Sequence, residues 1–420
     1  MNELILLYKI LSIGMYGIGY WYIYKKLNKV EEKILFWNFF ILFFIGGSLS
    51  ALIFDYTNII FPSSGMLSIE TDILSWSIYF IIVFLLPILS ILVTNKIFKF
   101  FSISESFQKT NLIIIYIVLL LIIVYTVLNT DLTSMLFNQV NKSYSESLEY
   151  RYALQYSSSY RFIVKIVSFV FLLALCMEYF YRGRKTLSFV LFILSILIYG
   201  VIDNFIFISK LYLIDFLFSY LVFLLIYMNK KYFIHIVVLV LIVYVSFYFY
   251  NMGHNYEAVF FEPILKGITR FTISVPYYIE YYMSNDFDMK IYFYSLLTGD
   301  IIISPNIRVF STMFNVSNMD IQGSLASGIF TYNYANFGIF TILKSLFEVT
   351  VLMCIYAYIS KKCMTSIKLS IFFLLVFGII NYSFVTIMVG PLLGFFVFFM
   401  IYFTKDTLIS QILFRRKTKS

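Results

Sequence analysis

The chain has 420 residues, of which 61% are hydrophobic, 21% aromatic and only 13% charged, and its mean hydropathy is +0.89. A soluble domain carries about 25% charged residues because it needs a wetted surface, so a soluble enzyme is excluded. The net charge of +9 is spread over short loops between apolar runs and gathers on no single basic face, which argues against nucleic acid as a partner.

A bilayer-spanning helix needs ~20 mostly apolar residues. In chain order the apolar runs are 3–24, 34–54, 73–93, 110–128, 161–180, 186–207, 211–228, 233–250, 337–359, 369–385 and 389–404. They are continuous, as in Leu112–Val127, whereas barrel strands alternate over ~10 residues. The expected fold is therefore an all-α polytopic membrane protein with about eleven transmembrane helices, a single integral domain over 1–420. The first run ends in Trp21, Tyr22 and Tyr24, which suits an interface anchor better than the small residues of a cleavage site. Cys176, Cys354 and Cys363 form no disulfide or zinc spacing.

Basic residues fix the expected orientation. The alternate connections 25–33, 94–109, 181–185, 229–232, 360–368 and the tail 405–420 hold 20 of the 31 Lys and Arg. By the positive-inside rule these face the cytoplasm, with the N-terminus out and the C-terminus in. Two connections on the opposite side are long, 129–160 and 251–336, and are rich in Tyr, Phe and Ile with scattered charge. Long loops of that composition are expected to carry function, so the chemistry is expected to face outward.

The first outer loop carries Arg151, with Arg161 at the lip of the next run, among Tyr152, Tyr156 and other tyrosines. The planar guanidinium pairs bidentately with phosphate and stays charged, so these arginines suit an anionic ligand and the tyrosines suit stacking on sugar rings. The second loop opens with His254 and Glu257, a candidate base and a neighbouring carboxylate. Ile264, Leu265, Ile268 and Phe271 then share one helical face, with Lys266 and Arg270 on the other. That pattern predicts a short helix lying on the outer leaflet, its two cations at headgroup height. Pro276 ends the run before Tyr277 and Tyr278. Asp286-Phe287-Asp288 has the form of a metal-binding D-x-D, but no nucleotide fold accompanies it, and a solvated pair is expected. Asp300 and Arg308 follow in a Gly- and Pro-containing stretch. Lys344 and Glu348 stand four apart in an apolar run and are expected to neutralise each other.

One set of residues carries a family resemblance. Ile268-Thr269-Arg270-Phe271, Pro276-Tyr277-Tyr278, Ser304-Pro305-Asn306 and Gly328 with Tyr332-Asn333-Tyr334-Ala335-Asn336-Phe337-Gly338 resemble the Wzy-type polymerases of O-antigen and capsular repeat units. An R-x10-G pattern found in some members is absent, because Phe162, Tyr281 and Met319 follow Arg151, Arg270 and Arg308 at that spacing. The resemblance implies an undecaprenyl-diphosphate-linked oligosaccharide as both donor and acceptor, handled on the outer face of the bacterial inner membrane. It implies a flippase and a chain-length regulator as pathway partners, besides membrane lipid. Arg151, Arg161, Lys266, Arg270 and Arg308 would bind the diphosphate, Tyr152, Tyr156, Tyr277 and Tyr278 would stack on sugars, and His254, Glu257 or Asp300 would take the proton. No metal and no cofactor are expected, because cations alone can stabilise a departing diphosphate. The alternatives are an O-antigen ligase or another lipid-linked-sugar glycosyltransferase, then a polysaccharide flippase or transporter.

Overall fold

The structure is a computed structural model that describes residues 2–56, 69, 71–101, 112–129, 160, 162–201, 211–228, 262–298, 305, 308–309, 328–360 and 365–389. Among these every regular element is helical. Long apolar helices are α1 (Glu3–Tyr24), α2 (Val30–Tyr56), α3 (Ile73–Phe100) and α5 (Ile163–Tyr181). Shorter apolar helices are α4 (Leu112–Asn129), α6 (Lys185–Val201), α7 (Leu211–Tyr227) and α13 (Thr365–Asn381). Three short helices, α8 (Glu262–Thr269), α9 (Val275–Ser284) and α10 (Met289–Thr298), follow α7 in the chain. The stretch Ile329–Ser360 is also long and apolar enough to cross a membrane, making five such segments among the described residues. The runs 233–250 and 389–404 lie outside the described residues, apart from Val389.

The chain is an all-α membrane protein. Besides helix length, its exposed faces require a lipid surrounding. Leu4, Leu7, Leu11, Met15 and Ile18 form an exposed stripe on α1, and Ile113, Ile117, Leu120, Val124 and Leu128 form one on α4. Contiguous apolar faces of that size are not left open to water.

Sequence reading places an uninterrupted helix over 337–359, and here the structure differs. The segment begins at Ile329 and breaks at Gly338, whose φ of +51° and ψ of −120° lie outside the helical region. The result is α11 (Ile329–Phe337), a 3-10 turn, and α12 (Thr341–Ser360). A last short helix is α14 (Phe384–Val389). A Cβ on residue 338 would stand 2.5 Å from the Phe287 ring, so both the backbone angle and the space call for glycine.

The chain divides into two compact units. One comprises Met1–Phe101, Leu225–Cys354 and Gly378–Val389; the other comprises Ser102–Leu224, Ile355–Phe377 and Gly390–Ser420. In the second unit α5 is the central helix, buried on all sides from Ser168 to Phe180. It ends at Gly183, whose φ of +78° permits the Arg184 N–H to reach the Tyr179 carbonyl at 3.0 Å, satisfying a terminal carbonyl as α6 turns back. The Ser188 hydroxyl donates to the Cys176 carbonyl at 2.6 Å, tying α6 to α5.

In the first unit α1, α2 and α3 interlock through aromatic rings: Tyr20 meets Phe36, Phe40 and Phe44, and Phe44 meets Phe84. Both α2 and α3 carry a π-turn, Phe40–Ile45 and Ile81–Leu85, where an extra residue re-aims the side chains that follow. Gly46 and Gly47 come directly after the first. A Cβ at Gly46 would stand 2.4 Å from the Ile268 carbonyl oxygen, and one at Gly47 2.4 Å from Val83. The paired glycines therefore let the end of α8 and the body of α3 approach the α2 backbone closely.

Candidate functional site

The first unit gathers two carboxylate-centred networks around α10. The chain leaves α9, crosses Asn285–Phe287 and enters α10 at Asp288, whose N–H donates to the Ala335 carbonyl of α11 at 3.1 Å. The Asp288 side chain is only 5% exposed. One of its oxygens accepts from Arg308 Nη1 at 2.6 Å and the other from the Tyr282 hydroxyl at 2.5 Å. Burial above all, and then the carboxylate beside it, raise the Tyr282 pKa, so the phenol stays a protonated donor. The Arg308 side chain keeps 28% of its surface exposed. Its guanidinium is thus held by a buried acid, on a side chain that keeps part of its surface exposed.

The D-x-D stretch is corrected by this arrangement. Asp286 is exposed and borders an open recess lined by Met283, Ser284 and Asn285, while Asp288 is buried and committed to Arg308 and Tyr282. The two carboxylates are not a solvated pair. Phe287 between them stacks parallel on Tyr282 and meets Tyr334 edge-on, which fixes the loop over Gly338.

Four residues beyond Asp288, on the same face of α10, the Tyr292 hydroxyl donates to Glu348 Oε1 at 2.5 Å. Glu348 in α12 is 0% exposed. Its second oxygen accepts from Asn333 Nδ2 at 2.6 Å, and Lys344 Nζ stands 3.4 Å from the first. Burial again leads in raising the Tyr292 pKa, with the Glu348 charge adding to it. Lys344 lies over the rings of Tyr292, Phe337 and Phe347 at 4.7–5.8 Å, so its charge is shared between a carboxylate and aromatic faces. Lys344 and Glu348 pair as their spacing predicts.

Sequence reading gives no role to Tyr282 or Tyr292, takes Asp288 as half of a solvated pair, and names Asn333 only within the stretch that carries the family resemblance. The available signal is small: Asp288 and Tyr292 at i and i+4, and the Tyr332–Gly338 stretch, whose Asn333, Tyr334, Ala335, Phe337 and Gly338 all contact these networks or the loop beside them.

Of the expected diphosphate ligands, Arg308 sits in the first network. Arg270 follows α8 at a tight turn and its guanidinium lies 5.9 Å from the Phe271 ring. Lys266 is on α8, but its side chain lies outside the described residues, as do Arg151 and Arg161. His254, Glu257, Asp300, Tyr152 and Tyr156 also lie outside them. The expectation for Tyr277 and Tyr278 is corrected: they are 2% and 0% exposed, and Tyr277 packs edge-on against Phe54. Rings so enclosed have no face to offer a sugar and serve the core. The surface position expected for the end of α8 is corrected too, because Thr269 and Phe271 are buried and the Ile268 carbonyl abuts α2. Among the described residues no three His, Cys, Asp or Glu side chains converge as metal ligands. No protein-family model matches the chain, and no curated protein or solved structure matches it either.

Proposed function

We propose that the protein polymerises lipid-diphosphate-linked oligosaccharide repeat units on the outer face of the cytoplasmic membrane of a bacterium. A hydroxyl of the incoming lipid-linked unit attacks the anomeric carbon of the growing chain. The bond from that carbon to the diphosphate oxygen breaks, and the lipid diphosphate departs with its electron pair. The hydroxyl proton passes to a base, for which His254, Glu257 and Asp300 are the candidates. The growing glycan ends on the incoming unit's carrier. The energy is stored in the carrier linkage, so no nucleotide is consumed.

The observation that carries this reading is Arg308, a guanidinium oriented by a buried carboxylate that is itself fixed by Tyr282. A charge that develops on a leaving diphosphate is best stabilised by donors already in place. Asp288 supplies that rigidity, and the exposed part of Arg308 is the face that would meet the ligand. Cells lacking the protein are expected to retain single repeat units on their lipid carrier in place of long glycan, read by gel electrophoresis of the extracted lipid-linked material. Long chains of normal distribution in such cells would remove the proposal.

A second reading is a carrier of the same lipid-linked material, favoured by one observation. Lys9, inside α1 and 1% exposed, pairs with Asp55 at 3.0 Å and lies 3.8 Å from the Trp76 ring centre. Charges inside spanning helices often belong to transport paths. A carrier would move lipid-linked units across a vesicle membrane without lengthening them.

A further inference from the structure

α1 and α3 run side by side in a constant register. The Tyr8 hydroxyl meets that of Ser77 at 2.8 Å, and a Cβ on Gly19 would stand 3.4 Å from Ile88, so one offset of 69 residues holds at both contacts. The same offset sets Lys26 level with Asn95, beside Lys96, with Lys99 about one turn further along α3. Lys25, Lys26, Lys96 and Lys99 are all exposed. The acids of this end are turned inward. Glu31 and Glu32 are buried, and Glu32 accepts the N–H groups of Asn28 and Lys29 at 3.1 and 3.2 Å, closing the first turn of α2. Lys29 donates to the Phe98 carbonyl at 2.8 Å, which pins the start of α2 to the end of α3. Among the described residues, this end of α1, α2 and α3 therefore presents cations and no exposed carboxylate.

On α1 the exposed apolar stripe of Leu11, Met15 and Ile18 leads into Trp21 and Tyr22, also exposed, before the helix closes at Tyr24. Lys25 and Lys26 fold back over those two rings, with Nζ 4.9 Å from the Trp21 ring centre and 3.9 Å from that of Tyr22. Their charges are thereby held at the level of the interfacial aromatics, where headgroups lie. Apolar stripe, rings and cations follow in the order of a phospholipid from acyl chain to phosphate. A zwitterionic head carries its own ammonium, which would meet no exposed carboxylate here. We propose that α1 and α3 bind an anionic phospholipid, its acyl chains along the α1 stripe and its phosphate diester among Lys25, Lys26, Lys96 and Lys99. The site is separate from the glycan chemistry proposed above, and neither depends on the other.

The test uses the full-length protein in phosphatidylcholine bilayers and takes Trp21 as the reporter, read as the fluorescence difference between wild type and Trp21→Phe. Brominated phosphatidylglycerol is expected to quench Trp21 at a mole fraction about tenfold lower than brominated phosphatidylcholine does. Equal mole fractions overturn the proposal. A lysine near an anionic lipid surface contributes about fivefold. Lys25→Gln/Lys26→Gln is therefore expected to remove most of the preference, and adding Lys96→Gln/Lys99→Gln to remove the rest. Arginine at the same four positions is expected to keep it. Arg184→Gln/Lys185→Gln, in the exposed basic turn between α5 and α6, is the matched control and is expected to change nothing. A preference that survives in the quadruple glutamine variant, or that falls as far in the control, belongs to surface charge in general and overturns the site. Glycerol 3-phosphate in solution is expected to leave the quenching unchanged. If it displaces the brominated lipid at equal concentration, the lysines take a free phosphate and the lipid assignment fails.

Discussion

Replacing Glu348 with alanine is expected to lower the stability of the protein by about 3–5 kcal/mol, the usual loss when one member of a buried charged network is removed. The cause is on the other side of the cut. Tyr292, Asn333 and Lys344 all direct donors at this carboxylate. Without it the Tyr292 hydroxyl is buried facing a cavity, Asn333 keeps only its Ser345 contact at 3.0 Å, and Lys344 loses its counter-charge. Glu348→Gln retains the shape and one acceptor oxygen, so it is expected to lose less than half as much. Thermal unfolding in detergent reads the difference. Equal melting temperatures for wild type and Glu348→Ala would mean that α10, α11 and α12 do not depend on this network.

The second large effect belongs to Arg308. Arg308→Ala is expected to slow chain elongation by about 10²–10³, the typical cost of removing one preorganised donor to a developing oxyanion. It is also expected to destabilise, because Asp288 stays buried with the Tyr282 hydroxyl as its remaining side-chain donor among the described residues. Those two losses must be separated. In Arg308→Ala/Asp288→Asn the uncompensated charge is gone, so stability is expected to recover while elongation does not. Arg308→Lys keeps the charge but not the fork, and is expected to recover elongation only in part. A double variant that regained both stability and full elongation would make Arg308 a structural partner of Asp288 and nothing more.

These residues also show what a sequence can and cannot yield. The apolar helices among the described residues are legible because the signal is local: an apolar run of about 20 residues commits to a helix whatever it packs against. The Lys344–Glu348 pair was legible for the same reason, since one helical turn brings the two together. The partners of Asp288 and Glu348 were not. Arg308 lies 20 residues from Asp288 and Tyr292 lies 56 from Glu348, and only tertiary packing brings them within a hydrogen bond. Asp286-Phe287-Asp288 shows the consequence. Its acids are alike in sequence, but the turn into α10 buries one and leaves the other in solvent. Tyr277 and Tyr278 cannot be assigned from sequence, because a tyrosine-rich stretch beside Pro276 fits a binding belt and a helix core equally well, and only the packing of α9 encloses the two rings. The buried end of α8 is hidden for a related reason: the amphipathic pattern of α8 describes its faces, while Gly46 decides where its end can go.

The most direct measurement is elongation by the purified protein alone. Protein in nanodiscs would be supplied with lipid-diphosphate-linked repeat units extracted from cells lacking it, with a chelator present and no nucleotide. The expected result is a ladder of glycans differing by whole repeat units, with free lipid diphosphate released once for every unit added. Single units that remain unextended, with wild-type protein folded and the same units extended by membranes of wild-type cells, would contradict the account.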